Sequence, residues 1–152
     1  RVNILNPGCG VGGHCISVDP WFIVDSANGK AKMVEQARKT NDYKSDWVVE
    51  KIKNSIFEFN KKYNRMPTLS CMGLAFKPNI DDLRESPALY IAQELNKEFD
   101  IVAVEPYIEM HEVLNLVSLD IGIRSDICIY LVAHDSFKAA NVKNEDLVFC
   151  EL

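Results

Sequence analysis

No stretch of this 152-residue chain approaches the roughly 18 consecutive apolar residues of a membrane-spanning helix. Basic residues are outnumbered, with 17 Lys and Arg against 22 Asp and Glu and a net charge of −5. A general nucleic-acid binder needs a basic face to displace counterions, so no nucleic-acid partner is expected. A small nucleotide ligand stays open, because a few local cations suffice for one diphosphate. Internal repeats and low-complexity tracts are lacking. Cysteine is scarce and odd in number: Cys9, Cys15, Cys71, Cys128 and Cys150. That is no disulfide framework, and a reducing cytoplasm is the expected setting. Cys71, Cys128 and Cys150 lie in apolar runs, where a small buried thiol is expected.

What is present is an ordinary globular composition, 47% hydrophobic and 26% charged. It suits one domain, or one domain plus a piece of another. The chain opens at Arg1 directly into strand-like RVNIL, as a piece of something larger would. Residues 1–30 are rich in breakers and show no helical period, so a strand and an ordered loop are expected there. Residues 31–63 contain neither proline nor glycine and predict one long helix. Its stripe of Val34, Ala37, Asn41, Val48, Ile52, Ile56 and Phe59 is expected to pack on a partner subunit or a second lobe.

From Pro67 the pattern changes. The runs 68–76, 100–106, 127–134 and 146–152 read as four strands. A helix is expected after Ser86 and Pro87, an N-cap followed by proline at the first helical position. A weaker helical stretch is expected around 108–118. Alternating strands and helices imply an α/β fold with a parallel sheet.

Three segments could carry chemistry. Gly8 to Gly13 match G-x-G-x-x-G, but HCISVDP follows, with β-branched residues and a proline where a dinucleotide loop must open a helix. The preferred reading is a loop that lets backbone approach a ligand closely. At its exit stand Cys15 and Asp19. Backbone N–H groups around a thiol favour the thiolate, and a nearby carboxylate can orient water or take a proton. A buried or idle cysteine, and a metal site of Cys9, His14, Cys15 and Asp19, are the rivals, although the spacing fits no common zinc pattern. The third segment, KPNIDDLRES (77–86), lies between a strand end and a helix start, where α/β folds bind ligands. Lys77 and Arg84 could meet phosphate there, or simply pair with Asp81, Asp82 and Glu85. His111 and His134 stand alone and read as surface or core residues.

Two blocks, PGCGVGGHCISVDPWFIV (7–24) and GLAFKPNIDDLRESPAL (73–89), joined by the long helix, resemble the UDP-glucose/GDP-mannose dehydrogenase family. GGHC followed by VDPWF resembles its UDP-N-acetyl-D-mannosamine branch most. The resemblance implies a Rossmann-like, UDP-binding C-terminal domain at 65–152, incomplete at its end. Before it would come a linking and dimerisation helix at 31–64, building a homodimer, and a catalytic cysteine loop at 1–30. It implies oxidation of the 6-hydroxyl of a UDP-N-acetylhexosamine to the acid with two NAD+, through a cysteine thiohemiacetal and thioester. Cys15 matches the nucleophile and Asp19 the aspartate that helps activate water. Gly12, Leu5 and Asn6 match residues lining the sugar site, and Ile4 to Gly8 the strand and loop that carry them. Phe76 and Lys77 match contacts to the nucleotide, and Arg84 an arginine that reaches NAD. There are departures. Val18 stands where many relatives carry a lysine, and the family's NAD-binding domain, its preceding lysine and asparagine, and its closing D-T-R/K-G segment lie outside these residues. A chain of this extent is expected not to reduce NAD+ alone. The remaining alternatives are a non-catalytic nucleotide-binding or dimerisation module with Cys15 idle, and a redox protein cycling Cys9 with Cys15.

Overall fold

The computed structural model of the chain describes residues 8–139 and 142–151. A glycine-rich loop leads into helix α1 (Asp19–Ser26), then the long helix α2 (Lys32–Tyr63). Strands β1 (Leu69–Met72), β2 (Ile101–Val104), β3 (Asn115–Leu116), β4 (Ile127–Tyr130) and β5 (Leu147–Val148) follow. Helix α3 (Pro87–Asn96) joins β1 to β2, and the short α4 (Leu119–Gly122) lies between β3 and β4. All pairings are parallel, in the order β3-β2-β1-β4-β5, with Leu69 opposite both Ile101 and Ile127. This is the parallel sheet expected from the alternation of strands and helices, in the Rossmann-like form that the resemblance implies.

β1 and β4 are buried at every residue, as strands covered on both faces must be. Successive side chains go to opposite faces. Cys71, Ala103, Ile127 and Ile129 join a core built with α2 and α3, while Met72, Val104, Cys128 and Tyr130 pack with Phe137 on the other side. Ser86 caps α3 as expected, its Oγ accepting from Leu89 N–H at 3.3 Å.

Four expectations need correction. Residues 19–26 form a helix, started by Asp19 in its first turn and the proline behind it; its apolar period is invisible because no α1 residue is buried. The stretch 108–118 is not helical: it runs through bends into the edge strand β3, whose two residues are too few to show a period. The sheet therefore has five strands, not four. Finally, the C-terminal half of the α2 stripe (Val48, Ile52, Ile56 and Phe59) is buried against this chain's own sheet and α3. Tyr43, Trp47, Phe57 and Tyr63 are the large apolar side chains that this half and the middle of α2 expose.

Candidate functional site

The parallel order places the loops after β1 and β4 together at the point where chain direction across the sheet reverses, the usual ligand crevice of such folds. β1 ends at Gly73, with φ +90°, where an added Cβ would stand 2.5 Å from the Val132 Cβ. No other residue lets the ends of β1 and β4 approach so closely. The loop that follows carries Phe76, Lys77 and Arg84 and returns to α3 at Ser86, whose hydroxyl donates to Leu74 O at 2.6 Å.

The glycine-rich loop lies on this second loop. An added Cβ on Gly12 would meet Glu85 O at 2.1 Å and Pro87 Cδ at 2.6 Å. On Gly13, which has φ +93°, it would meet the Phe76 ring at 2.9 Å. The His14 ring stands edge-on to Phe76, with centroids 6.4 Å apart, and its Nδ1 lies 3.2 Å from Arg84 Nη2. Lys77 Nζ sits 5.5 Å from the centre of the Phe76 ring. α2 anchors the glycine-rich loop from below. Asn41 accepts from Val11 N–H at 2.8 Å and donates to Val11 O at 3.1 Å, and Ser45 donates to Cys9 O at 3.2 Å. Arg38 is buried beside them and reaches both Val11 O and Asp42.

Cys15 is exposed at the exit of this loop. Its carbonyl accepts from Val18 and Asp19 N–H at 3.1 and 2.8 Å, so the thiol stands one turn ahead of α1, with Asp19 at the helix start. Arg84 is gripped by Asp82, with Nε and Nη2 on the carboxylate at 2.6 to 3.1 Å. That contact holds the Asp82 carboxyl down at about 2. Asp82 likewise keeps the guanidinium above its ordinary value. The other loop sulfur is different: Cys9 is buried, its Sγ 3.6 Å from Leu131 O, and burial pushes its thiol up to about 11. Among the described residues no cluster of His, Cys, Asp and Glu could hold a metal ion.

The structure thus gathers Phe76, Lys77 and Arg84 beside the glycine-rich loop, in which Gly12 is buried against Glu85 and Pro87 and Cys15 is exposed one residue past His14, with Asp19 at the start of α1. Leu5 and Asn6 lie outside the described residues. Both readings of Arg84 bear on what is seen: the guanidinium pairs with Asp82 and is still mostly exposed. The loop after β1 has no glycine fingerprint for a dinucleotide.

Two groups were not anticipated. One is the α2 clamp of Arg38, Asn41 and Ser45; its signal was a polar Asn41 on an otherwise apolar stripe. The other is a buried pair beneath the second loop, Glu105 and His134, with Glu105 Oε2 and His134 Nε2 3.1 Å apart. Their signal was an ionisable residue near the end of each of two apolar strand runs, Glu105 in 100–106 and His134 in 127–134. His134 is a core histidine, as expected, but it is not alone.

Comparison with known proteins gives matches over most of the chain. The model for the UDP-glucose/GDP-mannose dehydrogenase family, UDP binding domain, matches residues 70–149, and that for the family's central domain matches residues 1–43. A UDP-N-acetyl-D-mannosamine dehydrogenase of Salmonella typhi is 44% identical over 150 residues, covering 91% of this chain and 36% of that protein. An NDP-N-acetyl-D-galactosaminuronic acid dehydrogenase of Ralstonia nicotianae is 43% identical over 145 residues, covering 91% and 33%. Among solved structures, the UDP-D-ManNAc dehydrogenase of Pyrococcus horikoshii superposes with a TM-score of 0.74 at 29% identity, covering 93% of this chain and 33% of that one. The chain spans about a third of the length of the curated relatives it matches. No helix among the described residues is long and apolar enough to cross a membrane.

Proposed function

Because the chain belongs to the UDP-glucose/GDP-mannose dehydrogenase family, we propose that it serves an NAD-dependent nucleotide-sugar 6-dehydrogenase acting on a UDP-N-acetylhexosamine, with UDP-N-acetyl-D-mannosamine as the first candidate. The observation that carries this reading is the seating of the Cys15 loop on the Phe76–Pro87 loop, with Gly12 against Glu85 O and His14 against Arg84.

Phe76 and Lys77 receive the nucleotide end of the substrate at the sheet crevice, one by ring contact and the other by charge on the diphosphate. The sugar then extends along the glycine-rich loop, which Gly12 and Gly13 allow to lie directly against Glu85 and Phe76. Cys15 adds its sulfur to the C6 aldehyde to give a thiohemiacetal, and at the acyl stage leaves as thiolate when water attacks the thioester. A thiolate is both a soft nucleophile and a tolerable leaving group, so one atom serves both steps. Backbone N–H groups of the loop stabilise the oxyanions. Asp19 takes the proton of the attacking water. NAD, when bound, supplies the hydride acceptor, and Arg84 is the residue here that reaches it.

The division of labour follows the sequence: 1–30 carries the nucleophile, 31–64 links and dimerises, and 65–152 binds UDP. The homodimer forms through 31–64, using apolar side chains that α2 leaves exposed, Tyr43 and Phe57 among them. The protein works in the cytoplasm, and this chain alone does not reduce NAD+.

Iodoacetamide labelling tests the reading. In the full-length protein Cys15 should be the site of fastest alkylation, and saturating UDP-N-acetylmannosamine should slow it at least about tenfold, consistent with burial of a nucleophile on binding. UDP binding with a Cys15 that labels no faster than an unfolded-chain thiol refutes the catalytic role. Turnover by the chain of residues 1–152 alone refutes its inactivity.

A further inference from the structure

Beneath the Phe76–Lys77 turn lies a pair that the reaction above does not use. Glu105 stands just past β2 and His134 four residues past β4, and they are 5% and 0% exposed. One oxygen of Glu105 accepts from the backbone N–H of Leu74 at 2.7 Å and of Ala75 at 3.0 Å. The same oxygen faces His134 Nε2 at 3.1 Å. His134 Nδ1 accepts from Asn79 N–H at 2.9 Å. An imidazole nitrogen that accepts carries no proton, so these bonds assign the proton to Nε2, which donates to Glu105. Only Phe76, Lys77 and Pro78 lie between the two ends so held. Asn79 is fixed further: its φ is +61°, and its Oδ1 accepts from Asp135 N–H at 3.0 Å and the Tyr107 hydroxyl at 3.2 Å.

We propose that Glu105 and His134 are positioning residues, a buried bridge that holds both ends of the Phe76–Lys77 turn in the shape that receives the nucleotide. The nucleotide half of this statement rests on the function proposed above. A buried carboxylate bonded to a neutral imidazole is a poor device for stability alone, because the cost of taking both polar groups out of water offsets most of what their bonds return, and apolar residues of similar volume commonly do as well. What this pair adds is geometry: the bridge fixes a turn that projects two exposed or half-exposed side chains, and preorganised contacts lose less on binding.

Two substitutions at one position separate positioning from filling. Asn carries an acceptor near the place of Nδ1 and keeps the bond to Asn79 N–H, whereas Gln reaches toward Glu105 and gives up that acceptor. In the full-length protein, His134→Gln should raise the Kd for UDP and the KM for UDP-N-acetylmannosamine about tenfold, with kcat within about threefold of wild type, the signature of lost binding shared by ground and transition states. His134→Asn should recover most of the affinity. Equal losses in both variants, or a lowered Tm with unchanged UDP affinity, overturn the proposal. If the Gln variant does not fold, Tyr107→Phe decides: it removes one bond to Asn79 at a half-exposed site, and should weaken UDP about two- to threefold without moving Tm; an unchanged Kd overturns the proposal. A wild-type protein that binds no UDP overturns the nucleotide reading instead. Amide exchange at residues 75–79, faster in His134→Gln than in His134→Asn, then supports the bridge, and equal exchange overturns it.

Discussion

Replacing Gly12 by alanine is the sharpest probe of how the two loops meet. The new methyl would lie 2.1 Å from the carbonyl oxygen of Glu85 and 2.6 Å from Pro87 Cδ. Neither neighbour is the end of a flexible chain. Glu85 itself has φ +49°, and Pro87 begins α3, so the turn between them has little freedom to retreat. Reaching even 3.0 Å from Glu85 O requires the loops to part by about 0.9 Å. Overpacking of that size costs ~1–3 kcal/mol. A displacement near 1 Å between groups that must meet in a reaction costs on the order of 10²-fold in rate. In the full-length protein, Gly12→Ala should therefore lower kcat/KM with a UDP-N-acetylhexosamine about a hundredfold. Gly29 provides the contrast: it has φ +77° and nothing within 4 Å of an added Cβ, so Gly29→Ala is strained in backbone only. That variant should lose about 1–2 kcal/mol of stability and keep its kcat/KM. A Gly12→Ala enzyme with wild-type kcat/KM would show that the loops do not act as one surface.

Asn41→Ala removes two hydrogen bonds to Val11 and leaves a loop N–H and C=O without their partner. A loss of ~1–3 kcal/mol is expected by chemical denaturation, together with faster amide exchange at Val11; an unaltered exchange rate there would mean that α2 does not hold the loop. Acid should act through Glu105. Burial raises its pKa, but the bonds from His134, Leu74 and Ala75 outweigh that and leave it below the ordinary 4.5. A folded-state pKa below the unfolded one gives stability that is complete above pH 4.5 and is lost as pH falls through the lower folded value. Asp126, held far below 3.8 by Arg65 and Thr68, adds loss at still lower pH. Thermal melts should show stability lost through these two groups as pH falls below 4.5. Glu105→Gln should melt lower at pH 7 and decline less steeply in acid, and an identical acid slope would exclude Glu105 as a contributor.

The elements that were legible in the sequence are those whose pattern is enforced by burial. α2 could be read from its lack of breakers, and α3 from Ser86 and Pro87, because a capping hydroxyl and a proline act locally. β1 and β4 could be read as apolar runs because both faces of a parallel sheet are covered. The failures have a matching cause. α1 buries nothing within this chain, so its residues show no amphipathic period: Trp21, Phe22 and Ile23 are consecutive and all exposed. β3 is two residues at an edge. The stripe on α2 was visible, but periodicity cannot say which surface it meets, and Val48 to Phe59 met the chain's own sheet.

The site divides along the same line. Cys15, Lys77 and Arg84 were legible because each sits in a run of glycine or charge that no core requires, whereas Phe76 ends an apolar run and was marked only by the family resemblance. Their convergence was not, since it depends on Gly12 fitting under Glu85 O and on Asn41 reaching up from α2. Glu105 and His134 were harder still, being 29 residues apart in sequence and each ordinary by itself. What joins them is the strand order: β2 and β4 flank β1, so residues just past their ends converge beneath the loop that β1 opens. A polar residue immediately past a buried parallel strand is therefore informative only in pairs. One can be a solvated loop start, but two on strands that flank a third have a common neighbour, and here that neighbour is the backbone at both ends of the Phe76–Lys77 turn.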